Sequence, residues 1–155
     1  MIMNVKFKKA TLLDVENIRN LVAPEVESGV ILERTPEEIS TNIRSYTLAY
    51  VEESLVGFSA LHIHSPILAE IRSLIVKDSF RGLGIGYKLV NKLNKEAIEL
   101  GVKKILTLTY KQKFFEKLGF IEIPKESIPE HKIWADCIKC KHFPICNEVS
   151  LIKMI

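Results

Sequence analysis

Apolar and polar positions along the chain change period often enough to mark out most of its elements. Val5-Lys6-Phe7-Lys8 alternates and predicts a first strand. Thr11-Leu12-Leu13-Asp14 has the form of a helix start in which an acid answers a capping threonine three residues on. Val15, Ile18, Leu21 and Val22 then recur at helical spacing, and Pro24 is expected to end that helix. After a looser stretch opened by Gly29, Thr35-Pro36-Glu37-Glu38 is a second helix start, with Ile39 and Ile43 as its apolar face. Residues 47–51 and 56–63 read as a hairpin about the polar turn Glu52-Glu53-Ser54. Pro66 separates that pair from a third central strand, 69–76. An amphipathic run, 87–100, carries Leu89, Val90, Leu93 and Ala97 and is closed by Gly101. Residues 102–109 are a β-branched strand, 113–118 a short helix closed by Gly119, 120–123 a strand and 148–154 a final strand. The segment 124–147, which holds the cysteines, is irregular.

The order β, α, α, β, β, β, α, β, α, β predicts one α/β domain over residues 1–155, with a mixed sheet and helices on both faces. A net charge of +3 with no basic run beyond Lys111-Gln112-Lys113 argues against a nucleic-acid partner. The sequence shows neither a signal-peptide pattern nor an apolar run of membrane-spanning length, so no membrane partner and a cytoplasmic location are expected. Three cysteines in a reducing compartment argue against a disulfide framework.

The chemistry concentrates around Arg81-Gly82-Leu83-Gly84-Ile85-Gly86, which joins the apolar strand ending at Val76 to the amphipathic run. Strand, glycine loop and helix aim unpaired N–H groups and the positive end of the helix dipole at an anion. Glycines permit positive φ and close approach, and Arg81 adds a cation. The stretch has neither the P-loop ending nor the Rossmann glycine spacing. It fits Arg/Gln-x-x-Gly-x-Gly/Ala, and so resembles the acetyl-CoA pyrophosphate loop of the GNAT N-acetyltransferases. The resemblance implies the GNAT fold, in which two neighbouring parallel strands splay apart to admit the pantetheine arm; here these are the strands ending near Val76 and Thr109. It implies acetyl-CoA as cosubstrate, bound by Leu74, Ile75 and Val76 on the strand, Arg81, Gly82, Leu83, Gly84, Ile85 and Gly86 in the loop, and the aromatics Phe114 and Phe115. A backbone N–H near Ile75 and Val76 would stabilise the acetyl oxyanion, as in the family.

Phe114-Phe115-Glu116-Lys117-Leu118-Gly119-Phe120 resembles a second family signature, with Phe115 where many members carry the tyrosine that protonates the leaving thiolate. Tyr110, at the end of the preceding strand, is the nearest substitute; its plainer role is a strand-end aromatic. In Ala69-Glu70-Ile71-Arg72-Ser73-Leu74-Ile75-Val76, strand alternation puts Glu70, Arg72, Leu74 and Val76 on one face. Glu70 and Arg72 are either a structural ion pair or a base with its partner. A carboxylate made more basic by an apolar cleft accepts the proton that an amine must lose, and the family often places its base at the position of Glu70. His62 and His64, on the neighbouring strand, are further candidates to face the amine.

The 30–34 block, the Ala-Glu-Ile-Arg-Ser-Leu block and the tail from His131 resemble stand-alone amino-acid N-acetyltransferases related to N-acetylglutamate synthase. That implies transfer to the α-amino group of a small amino acid, L-glutamate first, as in arginine biosynthesis. Two carboxylates call for arginine forks, and Arg34 and Arg72 are the candidates. Of the last strand only Ser150 carries over as a substrate contact. The other readings are an acetyltransferase for another amine or a protein N-terminus, and a non-catalytic CoA-binding or metal-stapled module. No catalytic metal is expected. Cys137, Cys140 and Cys146, with His142 or His131, could hold a structural zinc, but three reduced thiols are the favoured reading. A homodimer is compatible with the sequence.

Overall fold

The computed structural model describes residues 4–29, 33–128 and 148–155. These form strands β1 (Val5–Lys9), β2 (Tyr46–Val51), β3 (Ser54–Ile63), β4 (Leu68–Val76), β5 (Lys104–Thr109), β6 (Ile121–Ile123) and β7 (Val149–Met154), and helices α1 (Val15–Glu27), α2 (Pro36–Thr41), α3 (Ile85–Leu100) and α4 (Gln112–Glu116). The sheet order is β1-β2-β3-β4-β5-β7-β6. Every pairing is antiparallel except β4 with β5. Of the segment 124–147, residues 125–127 make one 3-10 turn.

Local chemistry sets the helix ends. Thr11 and Asp14 form the expected reciprocal cap on a 3-10 turn that leads into α1, and Thr35 and Glu38 do the same for α2. Pro24 does not end α1, which runs on to Glu27. A proline forfeits only its own N–H, and its carbonyl still accepts from Ser28 N at 3.1 Å. The stop comes from Gly29 at φ 80°. Gly101, at φ 89°, closes α3, with Val102 N reaching back to the Ala97 carbonyl at 3.0 Å.

The sheet is covered on both faces. α1 and α2 bury Val15, Ile18 and Ile39 against Leu48, Phe58, Ala60 and Ile75. On the other face α3 lays Val90, Leu93 and Ala97 on Leu61, Ala69, Ile71 and Ile105. Leu93 is wholly buried, and its truncation to Ala would cost about 2–5 kcal/mol.

One irregularity decides which side chains share a face. Phe58 opposes Ile75 and Ala60 opposes Arg72, so β4 has one more residue than β3 over this interval. The extra residue is a bulge at Ser73, held at φ 54°, and the Ser59 hydroxyl donates to the Arg72 carbonyl at 2.9 Å. Alternation therefore restarts. Glu70 and Arg72 lie on the α1/α2 face, where Ile75 also packs, whereas Leu74 and Val76 turn to the α3 face. The expectation that Glu70, Arg72, Leu74 and Val76 share one face is thus wrong, because the bulge shifts the period by one residue.

Candidate active site

The cleft begins where the central sheet stops pairing. β4 and β5 are joined only at Leu68–Lys104, Ala69–Ile105 and Glu70–Leu106, although both strands continue. Just past the last pair the Thr107 hydroxyl donates to the Ile71 carbonyl at 3.1 Å, a side-chain bond in place of the missing ladder. β5 stays fully paired to β7 instead. The two strands expected to splay do part, and the gap opens directly beside Glu70.

The glycine loop closes the far end of this gap. Gly82 and Gly84 sit at φ 78° and 83°, and Gly84 is the N-cap of α3 with no side-chain cap. A Cβ built on either would meet nothing within 4 Å, so both are required for backbone conformation and leave open space before the first turn of α3. Gly86 is required for room: its Cβ would stand 3.3 Å from the Phe114 ring. These features suit a pyrophosphate received by backbone donors. Arg81 is already engaged, with Nε on the Val76 carbonyl at 3.1 Å and the guanidinium 3.2 Å from Glu25 and 2.9 Å from Asp78. It ties the loop to β4 and α1. Leu83 is exposed, while Ile85 is buried in the core.

The paired aromatics separate. Phe114 packs on Tyr87 and abuts Gly86, so it borders the loop. Phe115 is 2% exposed and stacks edge-on against Phe120, a core side chain. Phe115 and the Ile75 side chain are both packed in the core. Tyr110 follows β5 and is 44% exposed.

Glu70 is the chemical centre of the opposite wall. Its carboxylate is 3% exposed, with His64 Nε2 at 2.8 Å and Arg72 Nε at 3.3 Å, both on Oε1. The chain turns after β3 so that His64 N bonds the Leu68 carbonyl, and Ser65 Oγ accepts from Leu68 N; this brings His64 back over Glu70. With Glu70 ionised, Nε2 must carry a proton and donate it. His62 pairs with Glu70 in register and meets the His64 ring edge-on at 4.7 Å. A buried carboxylate costs several kcal/mol unless compensated, and this one has a guanidinium and an imidazole to compensate it. Of the two histidines, His64 bonds Glu70 and His62 packs on the His64 ring.

Arg34 lies just before α2, 3.8 Å from Glu38. Arg34, Arg72 and Glu38 all act electrostatically on the Tyr46 hydroxyl, whose pKa burial pushes up while the two guanidiniums pull it down. Arg34 and Arg72 thus both lie within electrostatic reach of Tyr46. Ser150, on β7, is 1% exposed, its Oγ has no hydrogen-bond partner among the described residues, and it faces away from the α3 cluster, on the side of Glu70. Tyr46 was not picked out in the sequence; only the strand register reveals it. The cysteine cluster and its histidines lie outside the described residues, among which no group of three or more His, Cys, Asp or Glu could hold a metal. No helix among the described residues is long and apolar enough to cross a membrane.

Residues 14–120 match the acetyltransferase (GNAT) family. An uncharacterized N-acetyltransferase of Chlorobaculum tepidum is 35% identical over 148 residues, covering 96% of this chain and 95% of that one. The chain belongs to the acetyltransferase (GNAT) family. An amino-acid acetyltransferase of Actinobacillus pleuropneumoniae is 26% identical over 125 residues, and the match spans 79% of this chain but only 29% of that protein. The crystal structure of N-acetylglutamate synthase from Neisseria gonorrhoeae, complexed with coenzyme A and N-acetyl-glutamate, superposes with a TM-score of 0.88 at 21% identity, over 99% of this chain and 36% of that one. A Mycobacterium tuberculosis protein in complex with CoA gives 0.82 at 24% identity, over 97% and 99% of the two chains. These structural likenesses establish the fold.

Proposed function

We propose that this chain moves the acetyl group of acetyl-CoA to the α-amino group of a small acidic amino acid, L-glutamate first, in a cytoplasmic, arginine-biosynthetic setting. One observation carries the reading: the β4–β5 ladder ends at Glu70, so the gap that would admit a thioester opens beside a buried carboxylate flanked by His64 and Arg72. Backbone donors at Gly84 and the first turn of α3 would hold the pyrophosphate. The amine nitrogen attacks the thioester carbonyl carbon, its proton passes to Glu70, and the C–S bond breaks to release the thiolate. Tyr110 is assigned to protonate that thiolate. Arg34, Arg72 and Ser150 supply the cations and the hydroxyl for the carboxylates of the amino acid.

The amino-acid acetyltransferase relatives and the neighbouring N-acetylglutamate synthase support the substrate class, but they are much longer proteins, and this chain spans only 29% and 36% of the two compared above. The test is release of free CoA thiol from acetyl-CoA with a panel of L-amino acids, amines and N-terminal peptides. Turnover fastest with glutamate supports the reading. A neutral amino acid turned over faster removes the dicarboxylate assignment, and no thiol release with any acceptor removes catalysis.

A further inference from the structure

Tyr46 is a buried tyrosine whose ring belongs to the core of the α1/α2 face and whose hydroxyl is not used by that packing. It opens β2 and pairs with Ala60, which pairs in turn with Arg72. Residues directly opposite in antiparallel strands point to the same face. Tyr46, Ala60 and Arg72 thus form one row across three strands on the α1/α2 face. At about 4.8 Å per strand, the outer two stand roughly 10 Å apart at their Cα atoms. The residue between them has only a methyl group. The next row along holds His62 and Glu70.

The Tyr46 ring is 6% exposed and packs on Phe58 with centroids 5.8 Å apart. Its hydroxyl makes no hydrogen bond among the described residues and is not one of the buried polar atoms left without a partner, so the oxygen itself is accessible. Tyr50, four residues on, shows the ordinary case: its hydroxyl donates to Asp14 Oδ1 at 2.8 Å. Burial holds the Tyr46 proton on, so the group is a donor throughout the working pH range. Arg34 and Arg72 both act on that hydroxyl. A proton donor on the row of Arg72, within electrostatic reach of two guanidiniums, is an arrangement for an anion.

We infer that Tyr46 is a specificity-determining residue: its hydroxyl, with Arg34, binds the side-chain carboxylate of an acidic amino acid, while Arg72 takes the α-carboxylate. The division follows from the rows. Arg72 is bonded to Glu70, the residue assigned to the amine, and an α-carboxylate lies one carbon from its amine. Tyr46 lies two strands further out, where only the end of a side chain reaches.

This inference rests on the amino-acid acetyltransferase reading, and the test separates the two. Wild type and Tyr46→Phe are compared with L-glutamate and L-glutamine, alongside acetyl-CoA affinity and melting temperature. The expected result is a wild type selective for glutamate. In the Tyr46→Phe variant the KM for glutamate should rise about tenfold, the KM for glutamine stay within about twofold, and acetyl-CoA affinity and melting temperature stay unchanged, a loss of the size one hydrogen bond to a charged group supplies. A selective wild type with an unaltered KM for glutamate in the variant overturns the role of Tyr46 alone. So does an equal rise for both amino acids with a lower melting temperature, which marks a packing defect. A wild type indifferent between the two amino acids removes the dicarboxylate reading, and the role of Tyr46 with it.

Discussion

The glycine loop and the wall that holds Glu70 face the same gap, but one is made of backbone and the other of side chains. In the loop the side chains are occupied elsewhere: Arg81 with Glu25, Asp78 and the Val76 carbonyl, and Ile85 in the core. What remains for a ligand is a left-handed glycine at the head of a sixteen-residue helix. On the opposite wall Tyr46, His64, Glu70 and Arg72 come from β2, the turn after β3, and β4, and only strand register brings them together. A backbone site is specified by a few consecutive residues, because glycine alone tolerates the required φ. A side-chain site depends on pairing, and a single inserted residue redirects it.

On the proposed function, the largest effect is expected at the side-chain wall. Glu70→Gln keeps the shape and much of the hydrogen bonding but cannot take up a proton. It should lower kcat by roughly 10²–10⁴ and flatten the acidic limb of the pH–rate profile. Acetyl-CoA affinity, which the proposal assigns to the loop, should stay at the wild-type level in calorimetry. A variant that loses only thermal stability would reduce Glu70 to the structural partner of Arg72 and His64.

The loop should fail differently. Gly84→Val places its Cβ in open space, but it forces a β-branched residue to φ 83°. Acetyl-CoA binding should weaken at least tenfold, about 1.4 kcal/mol, with the KM ratio among amino acids unchanged. Gly86→Ala tests room instead of conformation. Its Cβ meets the Phe114 ring at 3.3 Å, so pairing it with Phe114→Leu should restore part of what it loses. Full wild-type affinity in Gly84→Val would remove the loop from the binding site.

That contrast explains what the sequence made legible. The loop, the helix caps at Thr11 and Thr35, the hairpin and the closing glycines all follow from local rules, and the element order follows from them. Pro24 misleads because a proline late in a helix removes one bond without preventing another turn. Strict alternation misleads at Ser73 because no glycine marks the bulge; a serine takes the positive φ and the Ser59 hydroxyl secures it. Phe114 and Phe115 are adjacent and chemically alike, and only packing shows that one borders the loop while the other fills the core. Tyr46 was invisible because its partners lie 14 and 26 positions away and are reached through register.

Arginine-to-lysine changes sharpen the side-chain half at smaller amplitude. Arg34→Lys and Arg72→Lys keep the charge and lose the planar fork. Each should raise the KM for glutamate about tenfold and leave acetyl-CoA affinity untouched. Arg72 also donates to Glu70 at 3.3 Å, so its variant should depress kcat as well, and Arg34→Lys should not. Wild-type kinetics for Arg34→Lys would remove that residue from the substrate site.

The smallest effect concerns a second buried carboxylate, and it asks whether burial and pairing alone make Glu70 special. Asp14 is 5% exposed and accepts from Thr11 N at 2.8 Å and Tyr50 Oη at 2.8 Å, with Lys8 Nζ at 3.4 Å. Burial raises its pKa, but the Thr11 N–H, the Tyr50 hydroxyl and Lys8 together outweigh that and hold it below the usual carboxylate value. Burial and the Asp14 carboxylate in turn push Tyr50 up to about 12. A group whose folded pKa is depressed contributes stability that is present above its unfolded value of about 3.9 and is lost as pH falls through the folded value. Asp14→Asn should therefore cost about 1 kcal/mol at neutral pH. The gap to wild type in chemical denaturation should close as the pH drops below about 4. Asp14 lies at the N-terminal end of α1 and has no place in the cleft, so kcat, the KM for the amino acid and acetyl-CoA affinity should all remain at wild-type values. A fall in kcat at unchanged stability would mean that buried carboxylates on this face are coupled to the chemistry beyond Glu70, and the division between a structural and a catalytic acid would have to be redrawn.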